Sequence, residues 1–576
     1  MSERPTHEQL RERYHSRVRP VIGELFFERR VALWGLSRGY LVAEALARTG
    51  LRQQLWLDDD DEVAAESALA RSLGLGAAGS SRAAALARHC AEHNRLETDY
   101  ALERVPRTLD ALRAALPRDL LVAEVDEHAA DVARAAADSG TPLVLALLPR
   151  SASVGSIHLL WTPTCALSAD DLVSLAGRLA SVPRADADEA QVHVDHLEAA
   201  SVALSLARYA LAPDRPQRPD LEAALQSGRV LFARGEPTWP WSVRLLGARN
   251  EALFELLGDG RPAVRVPAAL LGRERVVVLG LGTASLFCAE ATGLVGATLL
   301  LLDCKEVSPE NPVRQVYGTD RIGEVKGRAL AEILRARVDP HGAHSWDEHS
   351  GEGDVTWLRG GPWAFGFGEL RLRKRDRASV ARFEAMLDAL RPTIAVVGMG
   401  QSRDDNFTAA ALLRARGIRH VTPTAFPGVS HYKHILTDGQ SGPCYDCLQG
   451  HLAVDGGAGP TLAREEREMF YGGTQPATLA ETMPSAFSLL RLARDLALPP
   501  AARPAYLAQQ LYAERPCFVG ANRAERTTLA DGSKQWLYGV DRPFKMVSYG
   551  MGDLVGSRSE ERCPSCGRVN RMRVVQ

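Results

Sequence analysis

The chain has 576 residues, is 45% hydrophobic and 24% charged, and carries a formal net charge of -2. One hydrophobic core does not serve a chain this long, so about two to four domains are expected. The near-neutral balance gives neither nucleic acid nor an anionic membrane an electrostatic reason to bind, no apolar run is long enough to cross a bilayer, and the charged first residues lack the apolar core of a secretory signal, so a cytoplasmic protein is expected.

In chain order, Arg13-Tyr14-His15-Ser16-Arg17 and Gly23 precede the first regular element. Arg30-Val31-Ala32-Leu33-Trp34-Gly35 reads as a buried strand and its turn, followed by a helix through Ala47 and a strand over Gln54–Asp58. Short apolar strands are expected again at residues 119–123 and 141–148. Residues 211–235 are proline-broken and polar, which makes them the expected connection to a second half, with Trp239 and Trp241 packing just beyond.

Val276–Leu279 is another short run of β-branched and aliphatic residues, the pattern of a buried parallel strand. Gly280 and Gly282 turn it into a helix starting near Thr283, and a second strand, Thr298–Leu302, ends at Asp303. The free N–H groups of such a helix suit a phosphate, and the acid suits a ribose hydroxyl. Ser285 replaces the third glycine of a dinucleotide fingerprint, which argues against a plain NAD site. Then come Asn311, Arg314-Gln315, and Ile322-Gly323-Glu324-Val325-Lys326 opening an amphipathic helix through Arg337 that Pro340 ends. Residues 351–367 are rich in Gly and Trp with no clear period, so a loop or short hairpin is expected. A strand at 393–397, the segment Gly398–Phe407, a strand at 420–421 and a helix over 485–496 complete the second half.

The order Asp303…Asn311-x-x-Arg314-Gln315…Ile322-Gly323-x-x-Lys326 resembles the ubiquitin-activating enzyme superfamily, which includes the ThiF-type adenylyltransferases. The resemblance implies that Gly280, Gly282, Asp303, Asn311, Arg314, Gln315 and Lys326 bind ATP, with Arg314 and Lys326 on the triphosphate and Asp303 on the ribose. An aspartate past the third strand would hold Mg2+; Asp405 fits that place locally, whereas counting back from Gly417-Ile418 gives Gln401. The segment at Arg30–Asp58 aligns with Arg275–Asp303 without a gap, and first glycine to acid is 23 residues in both. This is a duplicated domain. The first copy has Ser37 where the second has Gly282, and Asp58 is followed by DDDEVAAES in place of the Arg-Gln pair. Four consecutive carboxylates would repel ATP. The resulting expectation is α/β: an inactive ThiF-like domain at 1–210, a linker at 211–270, and an active domain at 271–576. The two doubly wound Rossmann-like units would pack as an intrachain pseudo-dimer. In the bacterial relatives an arginine near the start of one protomer reaches the ATP of the other, and the resemblance of Tyr14…Arg17 with Gly23 to that segment makes Arg17 the candidate for that part here.

Nine cysteines include two CxxC pairs, Cys444/Cys447 and Cys563/Cys566. Two such knuckles supply four thiolates for a structural, tetrahedral Zn2+ that closes a long segment onto the second half. The resemblance implies that the C-terminal glycine carboxylate of a small ubiquitin-like protein attacks the α-phosphate of ATP, and that a conjugating enzyme acts downstream in a bacterial pathway. Many relatives then transfer the acyl group to a cysteine after the first CxxC. Residues 448–485 contain none, which leaves adenylation alone, an oxyester at Thr474, or a thioester at Cys517 as the three routes. The alternatives to this whole reading are adenylation of a ribosomally made peptide and a non-catalytic scaffold that clamps a precursor peptide.

Overall fold

Apolar runs of four to six residues form the centres of two sheets. The computed structural model describes residues 25–35, 40–58, 81–93, 101–147, 156–181, 189–212, 219–236, 239–247, 274–294, 298–339, 342–372, 376–399, 403–425, 431–439, 441–445, 477–522, 526–528, 533–536 and 546–549, with positions 6, 8, 9, 12, 23 and 447.

In the first half, β1 (Arg30–Trp34), α1 (Tyr40–Arg48), β2 (Gln53–Asp58), α2 (Arg82–His93), β3 (Ala101–Pro106), α3 (Leu109–Ala115), β4 (Leu120–Glu124), α4 (Ala129–Ser139) and β5 (Leu143–Leu147) alternate strand with helix. There follow β6 (Ser156–Trp161), α5 (Ala169–Ala180), α6 (Glu189–Leu211), α7 (Pro219–Gln226), β7 (Arg229–Glu236) and β8 (Trp239–Gly247). The sheet runs β3-β2-β1-β4-β5-β6-β7-β8. The first five are parallel and the last three join antiparallel. Much of the expected connection at 211–270 therefore belongs to the first sheet. Pro219 opens α7, Pro240 lies inside β8, and the residues between them supply β7.

The second half repeats the scheme with β9 (Arg275–Leu279), α8 (Ala284–Leu294), β10 (Thr298–Leu302), α9 (Lys326–Val338), β11 (Asp347–Gly351), β12 (Val355–Gly360), β13 (Trp363–Gly368), α10 (Arg377–Leu390), β14 (Ile394–Val397), α11 (Arg403–Ala415), β15 (Arg419–Ala425) and β16 (His431–Thr437). Beyond these lie α12 (Leu479–Ala497), α13 (Ala505–Tyr512), β17 (Cys517–Ala521), the separate pair β18 (Arg526–Thr528) and β19 (Lys534–Trp536), and β20 (Met546–Tyr549). The order is β11-β12-β13-β10-β9-β14-β15-β16-β17-β20. Strands β13-β10-β9-β14-β15 are parallel and β16 turns antiparallel, the same sequence of directions as β3-β2-β1-β4-β5-β6. Of the two forms expected for the Gly- and Trp-rich stretch, it takes the hairpin: β12 and β13 pair antiparallel across a short turn, and β13 is also the third parallel strand.

Side chains alternate between faces along each strand. Val31 and Leu33, like Val276 and Val278, enter one hydrophobic cluster shared by both halves. Ala32 and Trp34 enter a second cluster, and Val277 and Leu279 a third. The shared cluster joins α1, α2 and α6 to α8, α9 and α12, so helices of both halves form its middle layer. Every residue of α12 is buried, as expected of a helix packed on all sides. This helix starts at Leu479, earlier than its expected start after Pro484. Thr478 and Glu481 form a reciprocal capping box at its start. Pro484 has no N–H for the Ala480 carbonyl, and the hydroxyl of Ser205 on α6 donates to that carbonyl at 3.4 Å.

Candidate functional site

The centre of the second sheet is where β9 leads to β10 on one side and β14 on the other, a topological switch point. Gly280 leaves β9 with φ +82°, and a Cβ there would lie 2.2 Å from the Gly398 carbonyl oxygen after β14. Only glycine fits the place where these two loops cross. Asp303 ties the turn down: its carboxylate accepts from the Leu281 N–H at 2.7 Å and from the Lys305 N–H at 3.0 Å. Gly282 has no such steric demand from the protein, since a Cβ there would meet only the Gln315 amide at 3.8 Å.

The chain returns to Asp303 through a short antiparallel contact. Val307 N–H donates to the Glu324 carbonyl and Gly323 N–H to the Val307 carbonyl, both at 2.8 Å, and Lys326 N–H donates to the Lys305 carbonyl at 2.9 Å. Gly323 permits this at φ +91°. Lys326 is thereby placed at the first turn of α9 with 6% of its surface exposed, its ammonium 5.8 Å from the centre of the Tyr317 ring. Burial lowers its pKa to about 8; Asp303 opposes that fall, and Arg314 and Lys305 add to it. Lys305 is also lowered, first by burial, with Arg314 and Arg371 pushing the same way against Asp303 and Cys304. Arg314 thus acts on both lysines, Lys305 on Lys326 and Arg371 on Lys305, and Asp303 acts on both lysines in the opposite sense. Arg371 was not singled out from the sequence, although the basic run from Arg371 to Arg377 was a visible signal.

The segment from Asn311 to Tyr317 is a tight turn in which the Arg314 and Gln315 N–H groups donate to the Asn311 carbonyl at 3.0 and 2.9 Å. Asn311 is expected from the resemblance to orient a phosphate, but its side-chain oxygen accepts from the Ser308 N–H at 3.0 Å and so shapes this turn. Ser285 stands where the third glycine was missing, and its hydroxyl accepts from the Val316 N–H at 3.3 Å. Thr482 of α12 donates to the Arg314 carbonyl at 3.0 Å, and the Tyr317 hydroxyl donates to the Leu281 carbonyl at 2.9 Å. Gln315 is buried, and its side-chain oxygen has no hydrogen bond among the described residues.

Arg17, Gln401, Thr474, Cys563 and Cys566 lie outside the described residues. Asp405 is half-buried in the first turn of α11. Its neighbour Asn406 holds the loop after β14 from both sides, accepting from the Met399 N–H and donating to the Met399 carbonyl, each at 3.1 Å. Phe407 packs on Tyr445 with ring centres 5.0 Å apart, which sets the first CxxC against α11. There the Cys444 and Cys447 sulfurs are 3.6 Å apart, and the Cys447 N–H reaches the Cys444 sulfur at 3.5 Å. Cys517 lies inside β17 between β16 and β20, fully buried, and burial pushes its thiol up to about 12. A buried, protonated thiol in a central strand suits packing and not nucleophilic attack.

The same edge of the first half is chemically different. Trp34, aligned with Leu279, donates from its indole to Asp126 at 2.7 Å. Arg107 pairs with that carboxylate and lies over the Trp34 ring at 5.2 Å. Side chains at the carboxyl ends of β1, β3 and β4 therefore satisfy one another.

No family model and no curated protein matches the chain. Among solved structures it is similar to E. coli MccB, at 14% identity and TM-score 0.33 over 56% of this chain and 73% of that one. E. coli MccB with MccA-N7isoASN matches at 14% identity and TM-score 0.32 over 73% and 98%. E. coli MccB with ATP matches at 13% identity and TM-score 0.31 over 74% and 98%. Likenesses at these scores assign no activity to the chain.

Proposed function

We propose that the chain is an ATP-dependent adenylyltransferase, with the nucleotide held by the second half and the first half an inactive copy packed against it as an intrachain pseudo-dimer. The observation that supports this most is the buried Lys326 beside Asp303, with Arg314 and Lys305 acting on it and Arg371 acting on Lys305. Two lysines whose pKa is lowered by burial and further by neighbouring cations suit a polyanion. A triphosphate would relieve that repulsion, and Asp303 would accept from the ribose.

The acyl substrate in this reading is the C-terminal glycine of a small ubiquitin-like protein. Its carboxylate oxygen bonds to the α-phosphorus, the bond to the bridging oxygen breaks, and acyl-adenylate and pyrophosphate result. Lys326 and Arg314 hold negative charge in place and Gln315 orients the nucleotide. Magnesium would supply further neutralisation, and Asp405 is the carboxylate this reading gives it. A conjugating enzyme would take the activated protein onward. Arg17 reaching the nucleotide and Thr474 taking the acyl group remain parts of the proposal; Cys517 is dropped for its burial.

Cys444 and Cys447 fit half of a zinc site, because two thiolates on tetrahedral zinc lie about 3.8 Å apart at ordinary Zn–S lengths. Cys563 and Cys566 would complete it, and the metal would close the distant C-terminal segment onto α11. Purified protein should contain one zinc per chain, and Cys563→Ser should release it; metal-free wild type retaining full stability would remove this part.

The deciding experiment is ATP–pyrophosphate exchange. Exchange that requires a ubiquitin-like protein with a free terminal glycine, and that falls at least about 100-fold in Lys326→Ala, is the expected result. Exchange with a ribosomal peptide instead would change the substrate. No exchange with any carboxylate would leave the fold as a peptide-clamping scaffold and end the enzymatic reading.

A further inference from the structure

Arg48 is the last residue of α1, in the half without the cation cluster, and it is 2% exposed. Its guanidinium crosses into the second half and donates to the carbonyls of Pro312 at 3.2 Å, Gln315 at 3.1 Å, Val316 at 3.3 Å and Tyr317 at 3.1 Å. Glu44, one turn back on α1, accepts from its Nε at 2.8 Å and balances its charge; His89 of α2 lies 3.1 Å from the same carboxylate oxygen. The acceptors all belong to the turn that carries Arg314 and Gln315. With the Arg314 carbonyl taken by Thr482, the carbonyls of residues 312 and 314–317 are all bonded on the protein side.

We propose that Arg48 is a positioning residue: the first half holds the Asn311–Tyr317 turn in the shape that binds nucleotide, so the site depends on a side chain from the half that has no site. This rests on the ATP reading given above. A buried carbonyl without a donor is costly, and only the forked guanidinium reaches four of them at once. The device is one-sided. In the ungapped alignment of the two halves, Arg48 corresponds to Gly293 and Glu44 to Ala289, so the second half returns no such arginine to a first half that lacks the Arg-Gln turn.

The test uses the full chain with Arg48→Met and Arg48→Lys, so that one variant keeps the charge if the other fails to fold. Two readouts are taken. Amide exchange should accelerate at least tenfold over residues 311–317 and stay unchanged over β14. KM for ATP in the exchange reaction should rise at least tenfold, while KM for the acyl substrate stays within twofold. A lowered melting temperature with unchanged KM for ATP and unchanged local exchange overturns the proposal, since Arg48 would then serve packing alone. If wild type binds no ATP, the ATP reading fails by itself, and amide exchange over 311–317 still decides whether Arg48 holds the turn.

Discussion

Lys326 shows how one side chain's environment sets a measurable property of the site. Its folded pKa is lowered from 10.5 to about 8, chiefly by burial. Below that value it is charged both folded and unfolded. From there up to its unfolded value the unfolded chain binds more protons, so stability rises with pH in that window. Bound phosphate would restore the higher pKa. ATP binding at about pH 9 should therefore take up close to one proton, read as a binding heat that depends on the buffer's ionisation enthalpy. Lys326→Arg, which stays charged, should bind ATP without that uptake, and equal uptake in both proteins would contradict the placement of Lys326 at the phosphates. Ser285 makes a related point. Read as a missing glycine it argues only against NAD, whereas its hydroxyl holds the Val316 amide and so has a purpose in the turn.

At the scale of elements, the hardest stretch to read was the one where glycines sit inside strands. Gly351, Gly360 and Gly366 break the period-two pattern because they make room for indoles: a Cβ at Gly360 would lie 2.5 Å from the Trp346 ring, and one at Gly366 would lie 2.9 Å from Trp357. The apolar surface comes from the neighbouring strand, and no pattern within one strand reports it. Gly360→Ala should lower the unfolding free energy by about 1–3 kcal/mol in urea titration, through overpacking against Trp346. A neutral result would mean that the ring moves aside freely. The start of α12 was hidden for a similar reason. Pro484 marks a helix start when read locally, but Ser205 on α6 supplies the donor that Pro484 lacks. Glu481 near that start also pairs with Arg208 of α6, so the helix depends on the other half for its charge balance.

For the whole molecule, burial of histidines within the sheets carries a pH liability. His158 of β6 is completely buried, neither ring nitrogen has a hydrogen bond among the described residues, and burial lowers its pKa to about 3. His420 and His434 are lowered to about 4 and about 3 for the same main reason. Each is neutral when folded and protonates when unfolded, so its stabilising contribution is present above about pH 6.5 and is lost as pH falls toward its folded pKa. At about pH 5 each should cost about 2 kcal/mol relative to neutral pH. His158→Leu should remove about that much of the acid sensitivity in denaturant titrations at pH 7 and pH 5. An unchanged pH slope would show that His158 already titrates in the folded chain.

Sequence alone determined the repeated strand–turn–helix–strand units, the two glycine turns, Asp303, and Arg314 and Lys326 as the cations to watch, because each is a local pattern with a local cause: β-branched runs, φ that only glycine takes, and charges at short spacing. Only the tertiary structure decided that Arg48 of one half grips the turn of the other, that Ser205 completes a helix hundreds of residues away in sequence, that Cys517 is a core residue, and that Lys305 and Arg371 join the charge cluster. Those outcomes depend on which groups lose water together. Desolvation is a property of packed surfaces, and residues far apart in the chain meet there with no common local pattern to announce it.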